Sequence, residues 1–388
     1  MNEQIKNLTD SIQKLNTKDF GIYFFTIDSK GNPNAGVANI YEHVKTLREL
    51  GFNAQILHEK NDYKLYPTDP DPQRPEQNYM SIAEWLGYEY TQLPHISIES
   101  KQLNVSGADF VVIPEAFASI MKEVKNFPCK RIVFLQSYEY VFETLEMGET
   151  WSSFGINEVV TTTQTQKNYI DSLFTGLNTQ IVPVTISDTF KPSTTPKEPT
   201  VAVSVRDPRE MLKLIKAFYT KYPHYKFVSF RDMRGMTKTD FAQALSKCFT
   251  SVWIDDISGF GTFPLESMKT ETIVIGKIPR MVPEWMGTTD QNGNINLNEN
   301  GVWTSNINAL HDVLATMVGL YLEDSLPQSI IDTMKEYSTK YTSEETKTAI
   351  TEVYTNIFNR RIEELTFILK QTEEKLSTET QELTEETK

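Results

Sequence analysis

The sequence predicts an α/β protein made of two units of parallel sheet, and three observations carry that reading. Short apolar runs alternate with amphipathic helical stretches from about residue 20 onward, the rhythm of strand–helix–strand units. A Pro-bearing stretch, KPSTTPKEP (191–199), divides that rhythm into two series. The 388 residues suffice for two cores, at roughly 100–200 residues per domain.

The first run, FGIYFFTI (20–27), leads into a polar loop with glycine and proline, DSKGNPNAG (28–36). The next segment places Val37, Ile40, Tyr41, Val44 and Leu47 on one helical face, and Gly51 ends that helix before the strand FNAQIL. Residues 58–107 interrupt the pattern with a Pro- and Asp-rich loop, YPTDPDPQRPEQN, and a short helix, SIAEWLGYEY. Such an excursion on an α/β scaffold is expected near a cleft, carrying function rather than stability. ADFVVI (108–113), RIVFLQ (131–136), EVVTTT (158–163) and QIVPVTI (180–186) complete the first series.

TVAVSV (200–205) opens the second, followed by the helix REMLKLIKAFYTKYP, the strand YKFVSF (225–230), the helix TDFAQALSKC and the strand SVWIDD (251–256). ETIVIGK (271–277), GVWT (301–304) and a helix through Leu310, Val313, Leu314, Met317 and Leu320 close it. The expected division is a helical extension over 1–17, a first Rossmann-like domain over 18–190 and a second over 191–330. Helices over 331–370 are expected to pack back on the first domain. The tail 371–388, rich in Thr and Glu, is expected to be disordered or a frayed helix.

Composition narrows the function. A net charge of −14 disfavours non-specific binding to phosphate backbones, so nucleic acid is not indicated as a partner. No apolar run approaches the roughly 18–20 residues of a membrane span, and the polar first twenty residues lack the apolar stretch of a signal peptide. Cys129 and Cys248 are the two cysteines, and they allow neither a disulfide framework nor a zinc spacing. A cytoplasmic setting is expected.

The stretch SGFGTFPLESMKTETIVIG (258–276) carries the most chemistry. Gly259 and Gly261 permit a tight turn with close backbone approach, and a helix starts near Pro264. N–H groups at such a start suit a diphosphate, and Glu266, one turn in, suits a ribose diol. The same spacing also serves a purely structural connection. Asp255 and Asp256 form an adjacent pair at a strand end, where a turn is the ordinary reading.

The stretch resembles the donor-site motif of the large retaining glycosyltransferase family of the GT-B fold, Glu-Gly-Phe-Gly followed after four residues by Glu-Ala-Met. Here it reads Ser258-Gly259-Phe260-Gly261-Thr262-Phe263-Pro264-Leu265-Glu266-Ser267-Met268. VAVSVRDPRE (201–210) resembles the strand ending in Arg that opens the family's second domain, and GVWT with its helix resembles the closing segment. The resemblance implies two Rossmann-like domains facing across a cleft, with a helical C-terminal segment. It implies a nucleotide-sugar donor bound by Arg206, Arg209, Gly259, Phe260, Gly261, Thr262, Phe263 and Glu266. The leaving diphosphate is then neutralised by arginines, with no metal or other cofactor. Ser258 replaces the carboxylate that family members hold near the transferred sugar, leaving Asp255 or Asp256 to substitute, a different donor, or lost activity.

Strand carboxyl ends in open α/β sheets are where ligands bind, which adds Arg231 on the donor side and Gln136, Tyr138 and Glu115 on the acceptor side. Gly36, in the first loop, joins the acceptor side, and His43 on the helix after it is a catalytic candidate whose ordinary role is packing. Two functions follow. One is an enzyme moving a sugar to an acceptor that the sequence does not name, modified DNA bases being within the range of this fold. The alternative is a non-catalytic GT-B-like protein binding a nucleotide, a glycan or a protein partner.

Overall fold

The structure, a computed structural model, describes residues 12, 14–27, 34–59, 86–99, 103–233 and 236–386. The Pro- and Asp-rich loop, Arg234 and most of the N-terminal extension lie outside the described residues.

The first half is a seven-stranded parallel sheet in the order β3-β2-β1-β4-β5-β6-β7. Its strands are β1 (Gly21–Phe25), β2 (Asn53–His58), β3 (His95–Ser97), β4 (Phe110–Pro114), β5 (Lys130–Leu135), β6 (Glu158–Thr161) and β7 (Asn178–Ile181). Its helices are α1 (Ala35–Glu49), α2 (Tyr88–Thr91), α3 (Ala118–Glu123), α4 (Tyr138–Thr144) and α5 (Gln164–Leu173). Successive strand residues point to opposite faces, and both faces are covered, so the strands read as unbroken apolar runs. Ile22, Phe24, Val112 and Phe134 join one core with Val44 and Leu47 of α1. Tyr23, Phe25, Val111 and Val133 join a second core on the opposite face, with Met121, Val141 and Ile170.

The second half is a five-stranded parallel sheet in the order β14-β11-β10-β8-β9. These strands are β8 (Glu198–Val205), β9 (Ser229–Asp232), β10 (Cys248–Ile254), β11 (Ile273–Lys277) and β14 (Val302–Thr304). A two-stranded hairpin, β12 (Gly287–Thr289) and β13 (Ile295–Leu297), lies between β11 and β14 in sequence. The helices are α6 (Pro208–Lys221), α7 (Lys238–Lys247), α8 (Thr262–Lys269), α9 (Leu310–Leu322) and α10 (Gln328–Ser338). β9 starts later than the run YKFVSF suggests, because Pro223–Tyr225 forms a 3-10 turn and the Tyr219 hydroxyl donates to the Val228 carbonyl.

One helix, α11 (Ser343–Glu386), returns to the first half. Ile350, Val353, Tyr354, Ile357 and Phe358 enter the core beside α1. Arg360 grips the buried Glu158, at the start of β6, through two bonds of 2.9 and 2.7 Å, and Lys130 at the start of β5 pairs with Glu364 at 2.6 Å. The helix therefore docks at the amino ends of the strands. It also runs on through Glu386, where composition suggests a disordered tail or a frayed helix. No glycine or proline interrupts 343–388, so nothing in the backbone stops it.

Two stretches join the halves, 182–197 and 339–342, and they are bonded to each other. The Ile186 N–H donates to the Tyr341 carbonyl at 3.0 Å, and Thr346 Oγ1 donates to the Pro183 carbonyl at 3.1 Å.

Candidate functional site

The carboxyl ends of the two sheets face each other, and the loop 255–261 lies at their meeting point. Asp255 organises this loop. One carboxylate oxygen accepts from the N–H groups of Ile257 and Ser258, and the other accepts the Ser258 hydroxyl at 2.6 Å. Arg206, at the end of β8, reaches the same carboxylate at 3.4 Å. Asp256 pairs with Lys277, at the end of β11, and its second oxygen is buried without a partner. Ser258, expected near the reacting sugar, therefore serves as a donor inside the loop.

The two motif glycines have different reasons. A Cβ on Gly259 would lie 2.3 Å from Gln166 Nε2 and 2.7 Å from the Gln136 carbonyl, both in the opposite half. Gly261 has φ +75° and is pressed against Trp253, a backbone state and a fit that favour glycine. The Phe260 carbonyl accepts from Trp285 Nε1 at 2.6 Å, and its ring packs on Tyr341. Phe263 stacks edge-on with Phe241 of α7. The side chains of Phe260 and Phe263 therefore belong to the core, a correction to their expected role. Thr262 begins α8, whose first N–H groups have no side-chain cap, the arrangement that receives an anion.

Glu266 lies one turn into α8. Burial pushes its carboxyl up to about 7, against an opposing pull from Lys238. A half-buried carboxyl with a raised pKa beside a lysine is a candidate binding group.

Two of the expected arginines do not meet Arg206. Arg209 turns outward, 84% exposed, onto Asp207, the N-cap of α6. Arg231 acts electrostatically on Cys248, which starts β10 at the end away from the loop.

Across the cleft, the first half uses its polar groups on itself. Asn34 caps α1, accepting from Gly36 and Val37. The Gly36 carbonyl accepts from Gln136 Nε2 at 3.1 Å, and Asn39 donates to Gln136 Oε1 at 3.1 Å. Glu115 is buried and accepts from the N–H groups of Gln136 and Ser137 at 3.1 and 2.8 Å; burial nonetheless raises its carboxyl to about 7. Tyr138 donates to Glu139 at 2.7 Å. His43 is enclosed by Phe24, Phe134 and Tyr354, and burial lowers its imidazole to about 3. It is a core residue out of reach of the cleft, which corrects its catalytic assignment.

Sequence reasoning named Arg206 but missed the contacts that join the halves. The Ser137 hydroxyl donates to the Ile257 carbonyl at 2.7 Å, Arg206 donates to the Tyr140 hydroxyl at 3.0 Å, and Arg280 to Glu139 at 3.1 Å. Glu284 accepts from the N–H of Gln164, the first residue of α5. Their partners lie 66 to 141 residues away. Lys277, which sequence reasoning did not name, carried a signal in its place at the carboxyl end of the strand ETIVIGK.

No protein-family model matches the chain. An alpha-1,6-glucosyltransferase of Actinobacillus pleuropneumoniae serotype 7 (strain AP76) is 24% identical over 275 residues, 67% of this chain and 73% of that protein. Among solved structures, sucrose-phosphate synthase of Thermosynechococcus elongatus aligns with a TM-score of 0.59 at 12% identity, over 88% of this chain and all of that one. The Anabaena protein HepE in complex with UDP-glucose aligns with a TM-score of 0.57 at 12% identity, over 87% of this chain and 99% of that one. The fold of the chain is GT-B.

Proposed function

We propose that this chain is a glycosyltransferase that takes a sugar from a nucleoside-diphosphate sugar, with the donor held by the second half and the acceptor meeting it from the first. The carrying observation is the uncapped start of α8, with Glu266 one turn in, at the end of a loop whose Asp255 is held by Arg206 and whose Gly259 backbone lies against the opposite half. The α8 N–H groups and Arg206 stabilise the charge that develops on the leaving diphosphate, a fixed electrostatic arrangement in place of a divalent metal. Glu266 accepts the ribose hydroxyls. Of the two aspartates beside the loop, Asp256 is the one with an oxygen left for a sugar hydroxyl, Asp255 being filled by the loop and Arg206.

UDP-glucose is the probe of choice, because the sequence relative is named a glucosyltransferase and HepE was solved with UDP-glucose. The expected result is slow release of glucose and UDP without acceptor, undiminished by EDTA. Activity that vanishes in EDTA and returns with manganese would refute the metal-free part. Tight UDP-glucose binding with no hydrolysis and no transfer would assign the chain to the non-catalytic reading. Two charge-assisted bonds to ribose are worth roughly 1.5–3 kcal/mol each. Glu266→Ala therefore weakens UDP-glucose binding by on the order of a hundredfold, at about 1.4 kcal/mol per factor of ten, with the thermal midpoint nearly unchanged.

A further inference from the structure

α7 and α8 lie side by side, with Phe241 meeting Phe263 at a ring separation of 6.1 Å. Lys238 precedes Phe241 by three residues and Glu266 follows Phe263 by three, and residues three apart share a helix face. The Lys238 ammonium thus comes within electrostatic reach of Glu266. The same ammonium lies 3.4 Å from Glu42 on α1, in the other half, with the two side chains only 14% and 24% exposed. Glu42 in turn faces the Tyr90 hydroxyl, at the end of the long excursion after β2; burial first, and this carboxylate second, hold that phenol protonated.

The other charges around α8 are engaged elsewhere. Lys269 holds Asp188, and Lys335 of α10 holds Glu271. β10 presents a hydroxyl, Ser251 donating to Ser267 at 3.0 Å, and β11 packs with apolar Ile273 and Ile275. Among the described residues, Lys238 is the cation acting on Glu266.

We propose that Lys238 is a positioning residue that links donor binding to the meeting of the two halves, facing the Glu266 carboxylate on one side and gripping Glu42 across the cleft on the other. The inference rests on the reading of Glu266 as the ribose-binding group. A desolvated carboxylate accepts hydroxyl bonds best when charged, and a nearby ammonium keeps it so. Glu42 holds that ammonium in the cleft only while the halves are together. Binding at Glu266 and closure therefore favour each other, and the coupling is reciprocal.

UDP-glucose affinity measured by calorimetry from about pH 5.5 to 8.5 tests this, because its diphosphate does not change ionisation over that range while a carboxyl near 7 does. In the wild type, affinity falls as pH drops through about 7. Lys238→Met raises that midpoint by about half a unit or more and weakens binding at neutral pH several-fold. Lys238→Arg restores the wild-type midpoint. Glu42→Gln weakens binding and raises the midpoint, by less than Lys238→Met does. A folded Lys238→Met protein with the wild-type midpoint overturns the proposal. Should Glu266→Ala bind UDP-glucose as tightly as the wild type, the reading of the donor site fails instead, and the two failures are told apart.

Discussion

At the carboxyl ends of the first sheet, Glu115 bonds to two backbone N–H groups, Gln136 braces the Gly36 loop, and His43 is sealed among aromatic rings. At the corresponding ends of the second sheet, Arg206 stands half-exposed, α8 starts without a cap, and Glu266 keeps a carboxylate in a dry site beside a single lysine. The same architecture uses polar groups for self-support on one side and leaves them available on the other. The proposed nucleotide donor asks for particular residue types at particular spacings, and such a requirement is written into a short stretch of chain. The opposite face is shaped by contacts between distant segments.

Several experiments break or sharpen this contrast. The largest effect is expected at Gly259, where the halves touch. A methyl group there meets the Gln136 backbone carbonyl, which cannot swing aside as a side chain can. Gly259→Ala is expected to lower UDP-glucose hydrolysis by more than about a hundredfold, because misplacement by about an ångström carries that penalty. Small-angle scattering should show a larger radius of gyration with both halves still folded; wild-type turnover would mean that the halves meet differently during the reaction.

The next effect is on stability in the first half. Arg360→Leu leaves the Glu158 carboxylate, 2% exposed, without its cation, and breaking such a pair costs about 3–5 kcal/mol. Urea unfolding should show that loss, while UDP-glucose affinity stays near wild type, because Glu158 lies at the amino end of β6, away from the proposed donor site.

A smaller effect separates binding from stability within one residue. Burial raises Glu266 from 4.5 to about 7, so its favourable contribution to folding is complete below about pH 4.5 and lost as pH climbs through 7. Glu266→Gln should stabilise the protein at pH 8 by about 1–3 kcal/mol while weakening donor binding. A pH-independent difference between the two proteins would remove the buried-carboxylate argument.

The smallest effect is expected at His43, lowered to about 3. A depressed imidazole contributes stability above its unfolded value of 6.5, lost as pH falls toward 3. His43→Leu should keep turnover at pH 7.5 and be less sensitive to acid between pH 6.5 and 5. Lost turnover in a folded variant would return His43 to the cleft.

The order in which these elements could be read from sequence follows the range of the interactions that make them. Apolar runs alternating with amphipathic helices predict most strands of both sheets, because cover on both faces makes each strand a continuous apolar run, a local signal. Gly259, Gly261 and Glu266 were legible because backbone approach and helix starts restrict residue choice over a few positions. The β12–β13 hairpin and the edge strand β3 are three-residue strands, too short to leave a period. The Lys238–Glu42 pair spans 196 residues, and neither neighbourhood marks its partner. Arg209 shows the reverse error: it has the right charge at the right spacing, yet the N-cap Asp207 holds it outside.

The chain passes between the halves twice, and those two passages are hydrogen-bonded to each other through Ile186 and Tyr341. A lone tether lets two bodies swing, twist and slide. Two tethers fastened side by side act as a paired hinge, and the freedom that remains is rotation about the line through both. Phe260 rests on Tyr341, so the glycine loop sits against this paired hinge.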